Sequence, residues 1–558
     1  VFFVVGCVYV RKRRWGRKTH GSLGVQYHAE AKKDAREKVP YALESTSPKM
    51  LGFETRLMQD GEEIPTDSYR RESPISFGDG DEYTALEGIV TFRGNNYRDT
   101  ASYGHPVIAQ RKLDPHYWHI ETGSLQKSEL SQGKGSAEWS GSGWTGQPMI
   151  VRWDKDMRRI MNLYPDKKEK DGLVEAIYAT MDGNVYFIDI EDGTPTRDTL
   201  KIGLPFKGAG AIDPRGIPML FVGAGDSLPD SYGEAGYARA YFYSLTNFEK
   251  LYELGAKDSF SPRIFHGYDS SALVHAATDT LFYPGENAII YTMKLNTKFD
   301  RETGSLSIHP TEKMKWTYRT NRTSEESFWW GMEDSASIWK QYMYIADNGG
   351  NMMCMDINTM QLVWTQDTLD DTNASPVFEE EEDGGKYVYV APSLHWQKNN
   401  ETNTGKISIF KMNAMTGAIV WEKPYDVHTV YGVSGGVQAT PVLGKGSISD
   451  LVIVPVARMP YKPNGVLVAL DKETGEERWV FRMKAYAWSS PVAIYAQDGT
   501  AYIVQCDSKG NIFLLDGITG KVYDQINVGS NIEASPAVFE NTIVVGTRGK
   551  QIVGIKIK

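Results

Sequence analysis

The clearest signal along the chain is a short apolar run that keeps returning between glycine-rich breaks. Residues 464–479 read NGVLVALDKETGEERW, 404–421 read TGKISIFKMNAMTGAIVW, and 509–523 read KGNIFLLDGITGKVY. Looser copies are NGGNMMCMDINTMQLVW at 348–364 and DGNVYFIDIEDGT at 182–194. Each copy has a glycine turn, an alternating apolar run, Asp or Asn, a Thr-Gly-like turn and, in most, an aromatic. Alternation with period two on both sides of a short glycine-containing loop predicts a β-hairpin. A second element precedes each hairpin: Ala374-Ser375-Pro376, Ala439-Thr440-Pro441, Ser489-Ser490-Pro491 and Ala534-Ser535-Pro536 all open an apolar run. Gly146-Gln147-Pro148, Ser270-Ser271-Ala272 and Asp334-Ser335-Ala336 are weaker copies. Small residues fit where inner strands crowd around an axis, and proline is tolerated at the first residue of a strand.

The repeat unit is therefore four strands, opening at the small-residue element and closing on an aromatic outer strand. Tyr252, Trp316, Trp364, Trp421, Trp479 and Tyr523 mark the outer strands, about 44 to 64 residues apart. That period predicts propeller blades with loop insertions. A β-sandwich would not place a tryptophan at one fixed point of a repeat. Seven whole units lie between Trp144 and Gly529, and residues 530–558 stop before an outer strand. Trp118, in YWHIETG, supplies the missing piece. The expected fold is all-β: an eight-bladed β-propeller of four-stranded repeats, closed by an N-terminal strand so that no sheet edge is left open.

The ends differ from this body. Residues 1–10, VFFVVGCVYV, are apolar and are followed by RKRRWGRK at 11–18. Ten residues are too few to span a bilayer, which takes about 20. The first residue is Val, and residues 1–20 are expected to be the end of a membrane anchor or signal segment with a basic flank. Val4-Val5-Gly6-Cys7 loosely resembles a lipoprotein cleavage box, and a buried strand is the plainer alternative. Basic residues after an anchor favour retention in the cytoplasm, which runs against the extracytoplasmic placement reached below. Residues 21–86 lack periodicity and are expected to be a linker or stalk, with at most one short helix near 29–38. The propeller is expected over 87–558.

Composition narrows the function classes. The chain has 558 residues with a net charge of −10, 12% aromatic residues and 54 glycines. The negative balance argues against a nucleic-acid binder. Only Cys7, Cys354 and Cys506 occur, none in a CxxC pair, so neither a disulfide framework nor a cysteine zinc site is expected. No HxxxH or HExxH spacing appears among the ten histidines. Gly432-Val433-Ser434-Gly435-Gly436 matches the hydrolase pattern, but it leads into a strand rather than a strand-to-helix turn.

Gly465–Trp479 follows Gly-x-x-x-Ala-Leu-Asp-x-x-Thr-Gly-x-x-x-Trp almost letter for letter. On that motif, and on its looser copies, residues 88–558 resemble the PQQ-like repeat propellers. The resemblance implies a tryptophan docked between neighbouring blades. It covers quinoprotein dehydrogenases as well as non-enzymatic propellers such as the outer-membrane assembly scaffold lipoprotein. Residues 87–104, EGIVTFRGNNYRDTASYG, resemble the leading segment of extracytoplasmic bacterial members.

The dehydrogenase reading would require PQQ, calcium and an aspartate base. The vicinal cysteine pair common in those enzymes is missing, and no Glu/Asn/Asp set for calcium is legible. The expected protein is a membrane-anchored extracytoplasmic binding or scaffold module without a cofactor, for a protein or polysaccharide partner of the cell envelope. The alternative is a PQQ- and calcium-dependent dehydrogenase. The candidate ligand site is a channel mouth carrying Trp144, Tyr268, Asp269, Trp330, Glu333, Tyr431, Trp488 and Glu533. Aromatics with carboxylates there suit sugar rings, peptides or cations. The plainer alternative is that the aromatics only pack the blade interfaces.

Overall fold

The computed structural model describes residues 25–558, apart from 133–135, 144–145, 324–329 and 431–433. Eight antiparallel sheets stand around one axis, and they are numbered here as blades in chain order. They cover residues 149–201, 211–254, 273–319, 337–367, 377–428, 442–483, 492–527 and 537–556. The middle strands are buried on both faces, as in Leu451–Ala457 and Ala501–Cys506, because each sheet packs between two neighbours. This is why their sequences read as continuous apolar runs rather than clean alternation. The two α-helices, Lys155–Ile160 and Pro165–Glu169, sit in one connection of blade 1.

Closure follows the sequence expectation. Trp118–Glu121 pairs antiparallel with Gln551–Lys556, with Gly554 opposite Trp118, and so forms the outer strand of blade 8. Residues 25–86, expected as a free-running stalk, instead lie on the ring. Glu54–Gln59 adds to the outer strand of blade 3 and Glu62–Ile64 adds outside it. Gln26–Tyr27 pairs with the outer strand of blade 5, and the expected short helix is a 3-10 turn at Ala29–Lys32. Their mixed charge hid these strands: an added outer strand needs backbone pairing but little apolar content. Residues 1–20, the expected anchor, lie outside the described residues.

The repeat motif acts across the blade interface. Trp421 sends its indole N–H to the Lys472 carbonyl of blade 6, and its ring lies flat on Gly475. Gly475 has φ +73, and a Cβ there would stand 2.8 Å from the indole. The Thr-Gly turn therefore needs glycine twice, for its left-handed backbone and for the ring above it. Trp118 on Gly193, Trp364 on Gly417 and Trp479 on Gly520 repeat the contact, with N–H bonds to Ile190, Ala414 and Gly517.

The small-residue element also joins the blades. The Ser271 amide donates to Ser335 Oγ, Ser335 to Ser375 Oγ, Ser375 to Thr440 Oγ1, Thr440 to Ser490 Oγ, and Ser490 to Ser535 Oγ, at 2.8–3.2 Å. The Ser535 amide then reaches the Gly146 carbonyl, and the Ser271 hydroxyl reaches that of Gly210. A hydroxyl belt thus runs around the axis at the first residues of the inner strands. It supplies partners to amides that no neighbouring strand can reach.

Candidate functional site

Residues 87–104 close one end of the axial channel. Glu87–Ile89 pairs with blade 1, and the Val90 carbonyl accepts from Ile212 of blade 2. Thr91 and Phe92 meet Ser271 of blade 3, Asn96 meets Ile338 of blade 4, and the Tyr97 carbonyl accepts from Phe378 of blade 5. Ser102–Tyr103 then runs parallel to the inner strand of blade 8. Two buried arginines complete the plug. Arg93 donates to the Pro441 and Pro491 carbonyls of blades 6 and 7. Arg98 donates to the carbonyls of Ala336, Phe92 and Ser271 and to Thr91 Oγ1. Neither has a carboxylate partner, and burial lowers both guanidinium pKa values to about 10. One short segment thus touches every blade.

The opposite end is built by one position of the repeat. Among the described residues, the one two places before each belt position is Gly208, Asp269, Glu333, Asn373, Gln438, Trp488 or Glu533, and in the sequence Trp144 holds the same offset. Five of these were expected at a channel mouth. Tyr268, Trp330 and Tyr431 stand at other offsets. The described aromatics of the candidate mouth follow the plainer alternative, packing rather than exposure. Trp330 and Trp488 are buried, and so is Tyr268, whose hydroxyl donates to the Gly255 carbonyl. Their large rings fill the space between leading loops, where removal from water outweighs any role at the surface. Glu533 pairs with Arg548 at 3.6 Å and accepts from Asn531. Trp144 and Tyr431 lie outside the described residues.

What gathers at the axis is charge. Asp269 and Glu333 meet Glu286, which comes from the turn between the second and third strands of blade 3. One carboxylate oxygen of each lies within 4.8 Å of the other two. Lys207 Nζ stands 3.2 Å from Asp269 Oδ2, and Arg263 Nη2 stands 3.1 Å from Glu286 Oε1. Asn348 donates to Glu333 Oε1. Asp371 is buried beside them and pairs with His395 Nδ1 at 2.7 Å, and the His395 ring stacks on Trp396. Burial, then the neighbouring carboxylates, pushes Asp269 up to about 7 and Glu286 up to about 8. Glu333 and Asp371 are raised for the same first reason. Burial works against the Lys207 charge, but Asp269, Glu286 and Glu333 outweigh it and raise its pKa. Glu286, Lys207, Arg263 and Asp371 were not legible beforehand, because they come from loops that differ between blades. The offset of two from the belt is the signal that would have found Gly208, Asn373 and Gln438.

Beside this chamber is a groove of about 280 Å³ in which Leu130, Leu228, Tyr237, Ile264 and Phe265 are interleaved with Glu129, Asp230, Lys257 and His266. Asp226 joins the two: it lines the groove, accepts from Trp139 Nε1 and Ser128 Oγ, and acts electrostatically on Asp269 and Lys207. Leu130 and Ile264 are 53% and 72% exposed.

Residues 463–558 match a PQQ-repeat family model described as outer membrane protein assembly factor BamB. That stretch covers the end of blade 6 and blades 7 and 8 of the eight. The chain is an eight-bladed β-propeller whose residues 463–558 match the PQQ-type repeat. A quinohemoprotein alcohol dehydrogenase from Pseudomonas putida HK5 is similar in fold, with a TM-score of 0.52 at 11% identity over 87% of this chain and 83% of that one. BamB from Moraxella catarrhalis gives a TM-score of 0.42 at 15% identity, over 73% and 96%. No curated protein matches the propeller.

The cofactor of the dehydrogenases can be tested against the donors present. PQQ is a flat tricarboxylate. The propeller gathers four carboxylates in its chamber, and its two nearest cations are already engaged with Asp269 and Glu286. Cys354 and Cys506 are free, buried and in different blades, so they offer no disulfide for stacking. Among the described residues the chamber is thus acidic, with Lys207 and Arg263 already engaged.

Proposed function

We propose that the protein is an extracytoplasmic binding module that docks a protein partner of the cell envelope on its chamber face. The observation that carries this is the exposed Leu130–Ile264 groove opening beside a buried acidic chamber. A groove with an exposed apolar rim and acidic lining, next to a chamber rich in carboxylates, fits a partner segment with an aliphatic or aromatic anchor and a flanking Lys or Arg. The plug supports the same reading from the other side. It fills one channel end with hydrogen-bonded backbone, which leaves the chamber face as the side available for a partner. Envelope location is supported by the family description and by the apolar start of the sequence. Among the described residues no helix is long and apolar enough to cross a membrane.

Site-specific photo-crosslinking in native envelope tests this. A crosslinker at Ile264 or Leu130 should capture one and the same envelope protein, and one at Ile518 on the opposite face should not. Ile264→Asp should abolish capture from position 130 while leaving the melting temperature within about 2 °C, as expected for an exposed side chain. Equal capture from all three positions, or capture of polysaccharide alone, would reject the protein-partner reading. PQQ- and calcium-dependent dye reduction would favour the dehydrogenase instead.

A further inference from the structure

His395 is held on three sides. Buried Asp371 takes its Nδ1 at 2.7 Å. Asp370, also buried, accepts the amides of His395, Trp396 and Gln397 at 2.8–3.0 Å and so fixes the turn that carries the ring. The Trp396 ring covers one imidazole face, with centroids 3.9 Å apart and planes 15° from parallel, and its Nε1–H is tied to the Asn348 carbonyl. With Asp371 as acceptor the proton sits on Nδ1, and Nε2 presents its lone pair. Nε2 has no partner among the described residues, and the side chain is 39% exposed. A histidine fixed this firmly with one nitrogen left open has the makings of a general base.

A hydroxyl stands opposite it. The short strands Ser393–Leu394 and Gly435–Gly436 pair antiparallel, Ser393 with Gly436 and Leu394 with Gly435. The Val437 amide donates to the Pro392 carbonyl, so the hydrogen-bonded positions are Pro392 with Val437 and Leu394 with Gly435. His395 and Ser434 come next in the same register. That position is of the close, non-hydrogen-bonded kind, where two side chains share a face with Cβ atoms about 4.5–5.5 Å apart. Ser434 is half-buried, and it is the serine of the hydrolase-like spacing at 432–436. The ladder brings it the base that the spacing alone lacked.

We propose that Ser434 is a nucleophile for acyl transfer, with His395 as its general base and Asp371 as the positioning residue. The hydroxyl oxygen attacks an ester carbonyl carbon while its proton passes to His395 Nε2. The C–O bond to the leaving alcohol breaks, and the alcohol departs with that proton. Water then cleaves the acyl-serine by the same route, releasing a carboxylic acid and restoring Ser434. Ser434 Oγ and Nε2 are not hydrogen-bonded beforehand, and such bonds commonly tighten only when substrate binds. Charge sets the substrate class. Glu286 and Glu333 lie close enough to Asp371 to act on it electrostatically. Carboxylates there repel an anionic ester and favour the imidazolium, so a neutral or cationic ester fits. This activity goes beyond docking a partner and does not depend on it.

The test exposes the full chain at pH 7.5 to an uncharged fluorophosphonate, which a nucleophilic serine attacks at phosphorus with loss of fluoride. Peptide mass spectrometry should place the label on Ser434. Ser434→Ala should abolish it while moving the melting temperature by less than about 2 °C. His395→Gln should slow both labelling and p-nitrophenyl acetate hydrolysis at least tenfold, while Ser449→Ala, in the cleft beside the plug, should change neither. Asp371→Asn should slow both and shift the pH profile, which a merely structural contact would not do; if it does not fold, Asp371→Glu replaces it. A cationic ester should react at least tenfold faster than an anionic ester of equal length. No label on Ser434, hydrolysis undiminished in Ser434→Ala, or an unchanged rate in His395→Gln would overturn the site. Equal rates for the two charged esters would overturn the substrate class. Partner capture from Ile264 is read separately on Ser434→Ala, so either proposal can fail alone.

Discussion

The two ends of the axial channel bury charge in opposite ways. At the plugged end Arg98 spends its N–H groups on three backbone carbonyls and a threonine hydroxyl. Its charge is held by dipoles from its own segment and from blades 3 and 4. At the other end the carboxylates crowd one another, and among the described residues Asp269 Oδ1 and Glu286 Oε2 have no donor. A buried charge surrounded by fixed dipoles is a fastener. A buried charge facing other charges of the same sign stores cost. The same ring of eight inner strands carries both, on either side of the hydroxyl belt.

The largest effect should come from breaking the fastener. Arg98→Ala leaves four buried acceptors without a donor and should destabilise the fold by about 3–5 kcal/mol, read by urea unfolding. If it costs under about 1 kcal/mol, the plug is not held by this side chain. A variant at the acidic end should do the reverse. Glu286→Gln removes the cost of protonating on folding a carboxyl that is ionised in the unfolded chain, and should raise the stability of the metal-free chain at pH 7 by about 1–3 kcal/mol.

The same contrast predicts a pH slope. Asp269 and Glu286 hold protons in the fold up to about 7 and about 8, whereas in the unfolded chain they release them at ordinary carboxylate values. The folded state therefore binds more protons between about pH 4 and pH 8, and stability must fall as pH rises through that range. Urea unfolding of the metal-free chain at pH 5, 6, 7 and 8 should show this fall, and Glu286→Gln should flatten it. A curve rising with pH would mean that other groups outweigh the chamber. The smallest effect belongs to the belt. Ser375→Ala removes one acceptor from one buried amide, that of Ser335, and should cost about 1–2 kcal/mol with no change in slope.

Much of the fold was readable because it repeats. Gly465–Trp479 carries a whole hairpin with its turn glycine and docking tryptophan, and Trp118 announced the closing strand by being one tryptophan too early. The plug was readable only as a resemblance, since EGIVTFRGNNYRDTASYG has no period to show that it crosses eight blades. The candidate site was half readable. Asp269, Glu333 and Glu533 share a fixed offset from the small-residue element, which places them on one ring. The buried aromatics misled, because Trp330 and Tyr268 sit near that offset but turn into the loop packing.

By itself, the sequence determined the blade, the number of blades and the way the ring closes, because each depends on local period and on glycine or tryptophan at fixed spacing. The tertiary structure alone decided that Glu286 and Arg263 of blade 3's loops, Lys207 from the connection between blades 1 and 2, and Asp371 from that between blades 4 and 5 would face one another at the axis. Their separation along the chain carries no period. Their proximity arises only when eight sheets converge, and burial then turns ordinary loop charges into a site.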